Sequence, residues 1–241
     1  MADDPNKRNI SRFLGYFGTS DIDTFLSRFN HENNYCDGEY TLNIGDEFRT
    51  LNGISFVIAG FDLEHNRKAE DGTVYDNGYG IMLYPRAFSD NGYWNTDNTT
   101  SGGYINSLAH NKANNIGITM KNNILGTHLV NRNVLLSSSI DSEGFANAYT
   151  WTTAYGTLPS LGQLKGIFSN FSGFDQGEAN YKLPLFNYIN FYPWYDIWTR
   201  EIYKKENSDY YATYIKSHSM LDDRIKVNST SKYYHTLLYI R

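Results

Sequence analysis

Residues 90–107 read DNGYWNTDNTTSGGYINS, and the fold turns on how that stretch is taken. Two aromatics, Tyr93 and Trp94, precede a run of Asn, Asp, Thr and Ser, which ends in Gly102-Gly103-Tyr104-Ile105. Short polar side chains of this kind hydrogen-bond their own backbone, and glycine supplies positive φ without steric cost. That composition alone would suit a linker, but Trp94 and Tyr104 each bring a large apolar area that must be buried. The stretch is therefore expected to be an ordered, internally bonded loop pinned by its aromatics. It joins a β-rich half upstream to a helical stretch downstream.

Upstream, Tyr40-Thr-Leu-Asn-Ile-Gly-Asp-Glu-Phe and Ile54-Ser-Phe-Val-Ile-Ala-Gly-Phe read as strands, with Leu51-Asn52-Gly53-Ile54 between them. An Asn-Gly step between two strand-like runs is the strongest short-range hairpin signal. The second run is apolar almost throughout, which predicts a central strand buried on both faces. A polar loop over 64–77 follows, then a strand from Gly80 that is expected to end at Pro85. Nearer the N-terminus, residues 1–10 read as a polar arm. Ile22, Phe25, Leu26 and Phe29 fall at i, i+3, i+4 and i+7, the apolar face of a helix that Ser20 or Asp21 could cap. With Phe13 and Phe17 they form an anchoring stripe that needs the main body or a neighbouring subunit to bury it, since so short a segment has no core of its own. This divides the chain into an N-terminal arm and anchoring helix, 1–38, and one globular domain, 39–241.

Downstream, Leu108, Ala109, Ala113, Ile116 and Met120 stand loosely at helical spacing, and residues 124–128 suggest a second helix closing at Gly126. A strand begins at Asn133, and Tyr149-Thr-Trp-Thr alternates as a half-buried strand would. Residues 159–166 predict a short helix with Ser160 near its start. Lys182-Leu-Pro-Leu-Phe is expected to be extended, because a residue before proline avoids the α region. Three strands close the chain, at 198–203, 210–216 and 234–240, with Asp222-Asp223-Arg224 as a turn between the last two. There is no internal repeat. The order predicts an α+β fold with a mixed, mostly antiparallel sheet and a few short helices.

The chain has 241 residues and a net charge of −5, which gives no electrostatic footprint for nucleic acid or an anionic membrane. Its N-terminus lacks a secretory signal and no run of 18 apolar residues occurs, so membrane insertion is not expected. The lone Cys36 excludes an internal disulfide framework and a cysteine-based zinc site. The six histidines form no HxxxH or HxH pair, so no metal site is expected. Asp62, Glu64, Asn66 and Asp71-Gly72 are rich in oxygen, but they depart from the spacing of a calcium loop and read as a solvated loop. No GxSxG, P-loop or GxGxxG is present, so neither a catalytic residue nor a cofactor is assigned. A carboxylate pair set for glycoside hydrolysis stays open, because carboxylate separation is not legible in sequence. The positive signal is aromatic. The 21 tyrosines and the clusters at Tyr93, Trp94, Tyr104, Trp151, Tyr192, Trp194 and Tyr195 suit a carbohydrate platform, a subunit interface or simply an aromatic core.

Several stretches resemble one family. Asn43-Ile-Gly-Asp-Glu-Phe, Phe56-Val-Ile-Ala-Gly-Phe-Asp, Gly92-Tyr-Trp-Asn-Thr and Thr99-Thr-Ser-Gly-Gly-Tyr-Ile-Asn-Ser are similar to a domain of unknown function widespread in phages and prophages of Gram-positive gut bacteria. Gly126-Thr-His-Leu, Asn133-Val-Leu-Leu, Lys182-Leu-Pro-Leu-Phe, Ile197-Trp-Thr-Arg and Leu238-Tyr-Ile-Arg extend the likeness over roughly residues 40–241. The chain departs from the family at Trp198-Thr199-Arg200, where Trp-Leu-Arg is usual, and in lacking a terminal Arg-Pro. The resemblance implies a virion structural protein with a C-type-lectin-like fold and carries over no catalytic residue. It would be made in the bacterial host cytoplasm and reside in the virion as a capsid decoration or a tail or baseplate component. Its partners would be other virion proteins, capsid or tail subunits, with many copies or a homo-oligomer on the particle. The alternative is a receptor-binding module for host wall carbohydrate.

Overall fold

The computed structural model describes residues 13–17, 36–37, 40–51, 53–69, 72–87, 90–166, 182–187 and 193–241. The chain forms β1 (Phe13–Phe17), β2 (Cys36–Asp37), β3 (Tyr40–Thr41), β4 (Glu47–Thr50), β5 (Ser55–Phe61), β6 (Arg67–Lys68), β7 (Val74–Tyr75), β8 (Ile81–Ala87) and β9 (Asn91–Gly92). After the 93–107 loop come helix α1 (Leu108–Met120), the ribbon strands β10 (Arg132–Ile140) and β11 (Ala146–Ala154), and helix α2 (Leu161–Lys165). The chain closes with β12 (Ile197–Glu206), β13 (Asp209–Ile215), β14 (Asp222–Lys226), β15 (Lys232–Tyr233) and β16 (Leu238–Ile240). The result is α+β, with mostly antiparallel sheets and few short helices.

Two five-stranded sheets carry the fold, in the orders β1-β4-β5-β8-β16 and β14-β13-β12-β15-β9. Within them only β1–β4 and β12–β15 pair in parallel. β5 is the central strand its composition predicts. Phe56 and Ile58 enter one core with α1, β10 and Trp198, while Val57 and Ala59 enter a second with α2, Leu183 and Ile197. The alternation follows from the two-residue period of a strand, so a run without polar residues must have both faces covered. The Leu51–Ile54 turn does join β4 to β5 as a hairpin, with Gly53 at φ +82°. Ser160 caps α2 in a reciprocal box with Gln163, and Gly166 ends it in the left-handed conformation.

Several sequence expectations are corrected. β8 runs through Pro85 instead of stopping there. β16 reaches only as far as Leu83, so among the described residues the proline falls where β8 pairs with β5 alone, an edge position of the kind where proline is tolerated. Pro184 opens a 3₁₀ turn, Pro184–Asn187, because a fixed φ near −65° suits the first helical position. The turn expected at Asp222-Asp223-Arg224 is strand β14, held by β13. Residues 121–125 continue α1 as a π turn, and Gly126–His128 follows as a single 3₁₀ turn in place of a second α-helix closing at Gly126. Of the strand expected over 234–240 only its end forms, as β16, while Lys232–Tyr233 just before it is β15 in the other sheet. The polar 64–77 loop contains the β6–β7 hairpin. The backbone of 13–17 is an edge strand of the first sheet, so that part of the N-terminal segment is built into the main body. The side chains of Phe13 and Phe17, and all of Ile22, Phe25, Leu26 and Phe29, lie outside the described residues.

The 93–107 loop is the joint of the molecule. Trp94 is fully buried and donates its indole N–H to the Thr199 carbonyl on β12, 3.2 Å away. The Tyr104 amide donates to Ser137 Oγ on β10 at 3.0 Å, and its hydroxyl accepts the Leu158 amide at 2.9 Å. Asn98 accepts the Tyr210 amide on β13 and donates to Asp209. Ser107 caps α1, accepting the His110 amide. Gly103, at φ +68°, lies so close to β10 that an added Cβ would sit 2.4 Å from the Ser137 carbonyl oxygen.

Behind this joint, Glu64 and Arg132 form an ion pair at 2.9 Å with neither side chain exposed. Arg132 also donates to Thr157 Oγ1, and Asn77 donates to Glu64. These bonds tie the 62–80 loop to β10 in a site from which water is excluded, where the charges are tolerated only as a hydrogen-bonded pair.

Candidate functional site: an aromatic edge on the second sheet

The four residues 193–196 form a short rim leading into β12. Each of its fixings is a backbone or carboxylate bond. The Pro193 carbonyl accepts the His218 amide at 2.8 Å, and the Asp196 carbonyl accepts the Tyr233 amide at 2.9 Å. Asp196 Oδ1 accepts the Ser217 amide at 2.9 Å, and Oδ2 pairs with Lys232 Nζ at 2.7 Å. Partial burial opposes ionisation of Asp196, but the Lys232 ammonium and the Ser217 amide outweigh it and hold the carboxyl below its usual range.

On this clamped rim Trp194 is 43% exposed and Tyr195 38% exposed. The Tyr195 ring stacks on Tyr233 of β15, centroids 4.2 Å apart at 25°. The Arg86 guanidinium lies over the Trp194 ring, 5.2 Å from its centroid, and donates to Glu47 at 2.8 Å. Lys232 also stands over the Tyr214 ring at 4.1 Å. Tyr93, 42% exposed, lies one residue beyond β9, the edge strand that pairs with β15. Its carbonyl accepts the Tyr234 hydroxyl, and the Gly92 carbonyl before it accepts the Trp198 indole N–H at 2.7 Å. The second sheet thus gathers Tyr93, Trp194, Tyr195 and Tyr233 near its β15–β9 edge, with Arg86 and the Lys232–Asp196 pair beside them. Such a surface presents ring faces and fixed charges to a partner without rearranging.

The sequence-predicted binding residues separate into groups. Tyr93, Trp194 and Tyr195 are on this surface. Trp94 and Tyr104 are not surface residues at all: both are fully buried, 6.1 Å apart ring to ring, because the loop folds inward to bond three other elements. Trp151 is half-buried and packs on Tyr75 at 5.2 Å, which makes it part of a small satellite core with Leu135 and Ala69. Tyr192 lies outside the described residues. Arg86, Tyr233 and Lys232 were missed. Strand alternation already required Tyr233 and Tyr234 to face opposite ways, but nothing local to Arg86 marks it as a neighbour of Trp194.

Among the described residues no three His, Cys, Asp or Glu side chains gather where they could hold a metal ion. Of the described carboxylates in the 62–76 loop, Asp62 accepts the Gly80 amide, Asp76 accepts those of Asn66 and Gly78, and Glu64 accepts from Arg132 and Asn77, while Asp71 lies outside the described residues. No helix of the described residues is long and apolar enough to cross a membrane. Comparison with known proteins gave no matching family model, no matching curated protein and no matching solved structure.

Proposed function

We propose that this chain is a structural component of a bacteriophage particle, a surface-exposed capsid decoration or a tail or baseplate protein. It works through protein–protein contacts and makes no bonds of its own. The observation that carries the contact role is the rim at 193–196, where Trp194 and Tyr195 are held outward by bonds made entirely within the chain. Trp, Tyr and Arg in one patch is the composition of interface hot spots. The virion assignment is supported by the Thr-Ser-Gly-Gly-Tyr-Ile stretch and the other motifs similar to the phage family, and a C-type-lectin-like arrangement of the sheets belongs to the same proposal. Mass spectrometry of gradient-purified particles, with copies counted against the major capsid protein, tests it. Stoichiometric presence is expected, and absence from clean particles overturns it.

The Tyr195–Tyr233 stack favours one second reading, a receptor-binding module for host wall carbohydrate. A stacked ring pair flanked by a carboxylate and an ammonium can take a sugar's apolar face and its hydroxyls together. Binding of the purified chain to host wall polysaccharide, lost in Trp194→Ala, would establish that role.

A further inference from the structure

The hydroxyls of four buried tyrosines are held inside the fold. Tyr84 shares a hydrogen bond with His235, Tyr104 accepts the Leu158 amide, and Tyr234 and Tyr239 donate to the Tyr93 and Gly78 carbonyls. Tyr195 and Tyr233 differ. Tyr195 is 38% exposed and Tyr233 is half-buried, and among the described residues neither hydroxyl has a hydrogen-bond partner.

The backbone brings these two phenols together. Ile197 of β12 pairs in parallel with Tyr233 of β15, and the Asp196 carbonyl accepts the Tyr233 amide. Tyr195, two residues before Ile197, lies within the diagonal reach of a cross-strand neighbour. Its ring stacks on that of Tyr233 with centroids 4.2 Å apart at 25°. No other two tyrosine rings among the described residues are stacked. Both partners are also held in place: Tyr233 packs on the core of Ile197 and Leu237, and the bonds of Pro193 and Asp196 fix the rim under Tyr195.

We propose that Tyr195 and Tyr233 are a site of oxidative cross-linking, joined ring to ring as dityrosine when the chain meets hydrogen peroxide and a haem peroxidase. The peroxidase removes one electron and one proton from each phenol. The two phenoxyl radicals join through the ring carbons beside their oxygens. The hydrogen on each joined carbon then moves to its oxygen, which restores both rings and both hydroxyls. One carbon–carbon bond forms, two tyrosines are oxidised, and the peroxide is reduced to two waters. Holding the partners in contact makes the coupling effectively unimolecular, so in dilute solution it outruns coupling between chains. The oxidant comes from outside and the chain supplies only the geometry, so no catalytic residue is implied. The new bond ties the 193–196 rim to β15. It rests on the ring pair alone and stands apart from the virion reading.

Treatment of the purified full chain, at low micromolar concentration, with hydrogen peroxide and a haem peroxidase tests it. The expected product is a fluorescent monomer, lighter by two hydrogen atoms, whose digest yields one linked peptide pair holding Tyr195 and Tyr233. Tyr195→Phe and Tyr233→Phe keep the ring and remove the phenol, so each should lower dityrosine in the monomer by about tenfold or more. Tyr79→Phe, at an exposed tyrosine away from the rim, should leave the yield unchanged. Circular dichroism confirms that the variants are folded. A treated monomer without dityrosine overturns the proposal. So does a link that maps to other tyrosines, or one that persists in either rim variant.

Discussion

Trp94 and Trp194 are the same side chain put to opposite uses. Trp94 stands in the most polar-looking stretch of the chain yet is 0% exposed, its indole N–H spent on the β12 backbone. Trp194 stands in an aromatic stretch and is 43% exposed on a rim held at both ends by hydrogen bonds of Pro193 and Asp196. Local composition would have assigned them the other way round. Burial here follows from what the neighbouring backbone requires. The 93–107 loop has to satisfy its amides and carbonyls within the core, so it carries its aromatics inward with it. The 193–196 rim satisfies its backbone laterally, through Ser217, His218 and Tyr233, which leaves its rings facing out.

The contrast is broken most directly at Trp94. Trp94→Ala removes the indole between the second sheet and α1 and leaves the Thr199 carbonyl without that donor, so a loss of about 3–5 kcal/mol is expected. Urea unfolding monitored by circular dichroism would show it. A loss below about 1 kcal/mol would mean that the loop is a surface feature after all.

The next effect is set by pH and again singles out the buried side. His110 on α1 lies edge-on to Tyr104, 5.1 Å away, and burial lowers its pKa to about 4. His235, between β15 and β16, shares a hydrogen bond with the Tyr84 hydroxyl at 2.8 Å, and burial lowers its pKa to about 3. Both are depressed below the unfolded value near 6.5, so the folded state favours the neutral rings. Stability is therefore complete above that value and falls as pH drops from it toward the folded pKa values. By about pH 5 each histidine should cost about 2 kcal/mol relative to neutral pH. Unfolding midpoints at the two pH values measure this, and His110→Gln or His235→Gln should remove about half of the drop. A flat wild-type profile over that interval would contradict the burial of both rings.

Much of the scaffold was legible because its signals are local. The apolar run at 54–61, the Gly53 connection between β4 and β5 and the Ser160 cap each act within a few residues, and each element formed as its chemistry dictates. The errors occurred where distant residues decide. Pro85 is tolerated inside β8 because β16 stops short of it, and Asp222-Asp223-Arg224 is a strand because β13 supplies its partner. The site shows the same division. Exposure of Trp194 and Tyr195 was foreseeable as one face of an aromatic cluster, whereas Arg86 over Trp194 depends on how the first sheet meets the second.

The smallest expected effect sharpens the comparison most. Trp194 is exposed, its ring contacts Arg86, and the bonds that shape its rim involve Pro193, Asp196 and their partners, not the indole. Trp194→Ala should therefore change stability by no more than about 0.5 kcal/mol. The same substitution should still remove a hot-spot side chain, weakening association with a particle partner by about 2 kcal/mol or more. Stability from urea titration and incorporation into particles, measured on one preparation, separate the two quantities. Unchanged incorporation at unchanged stability would remove the rim from the contact surface, and a large stability loss would place Trp194 with Trp94 in the core. Only the combination of full stability and lost association keeps the two tryptophans in different roles.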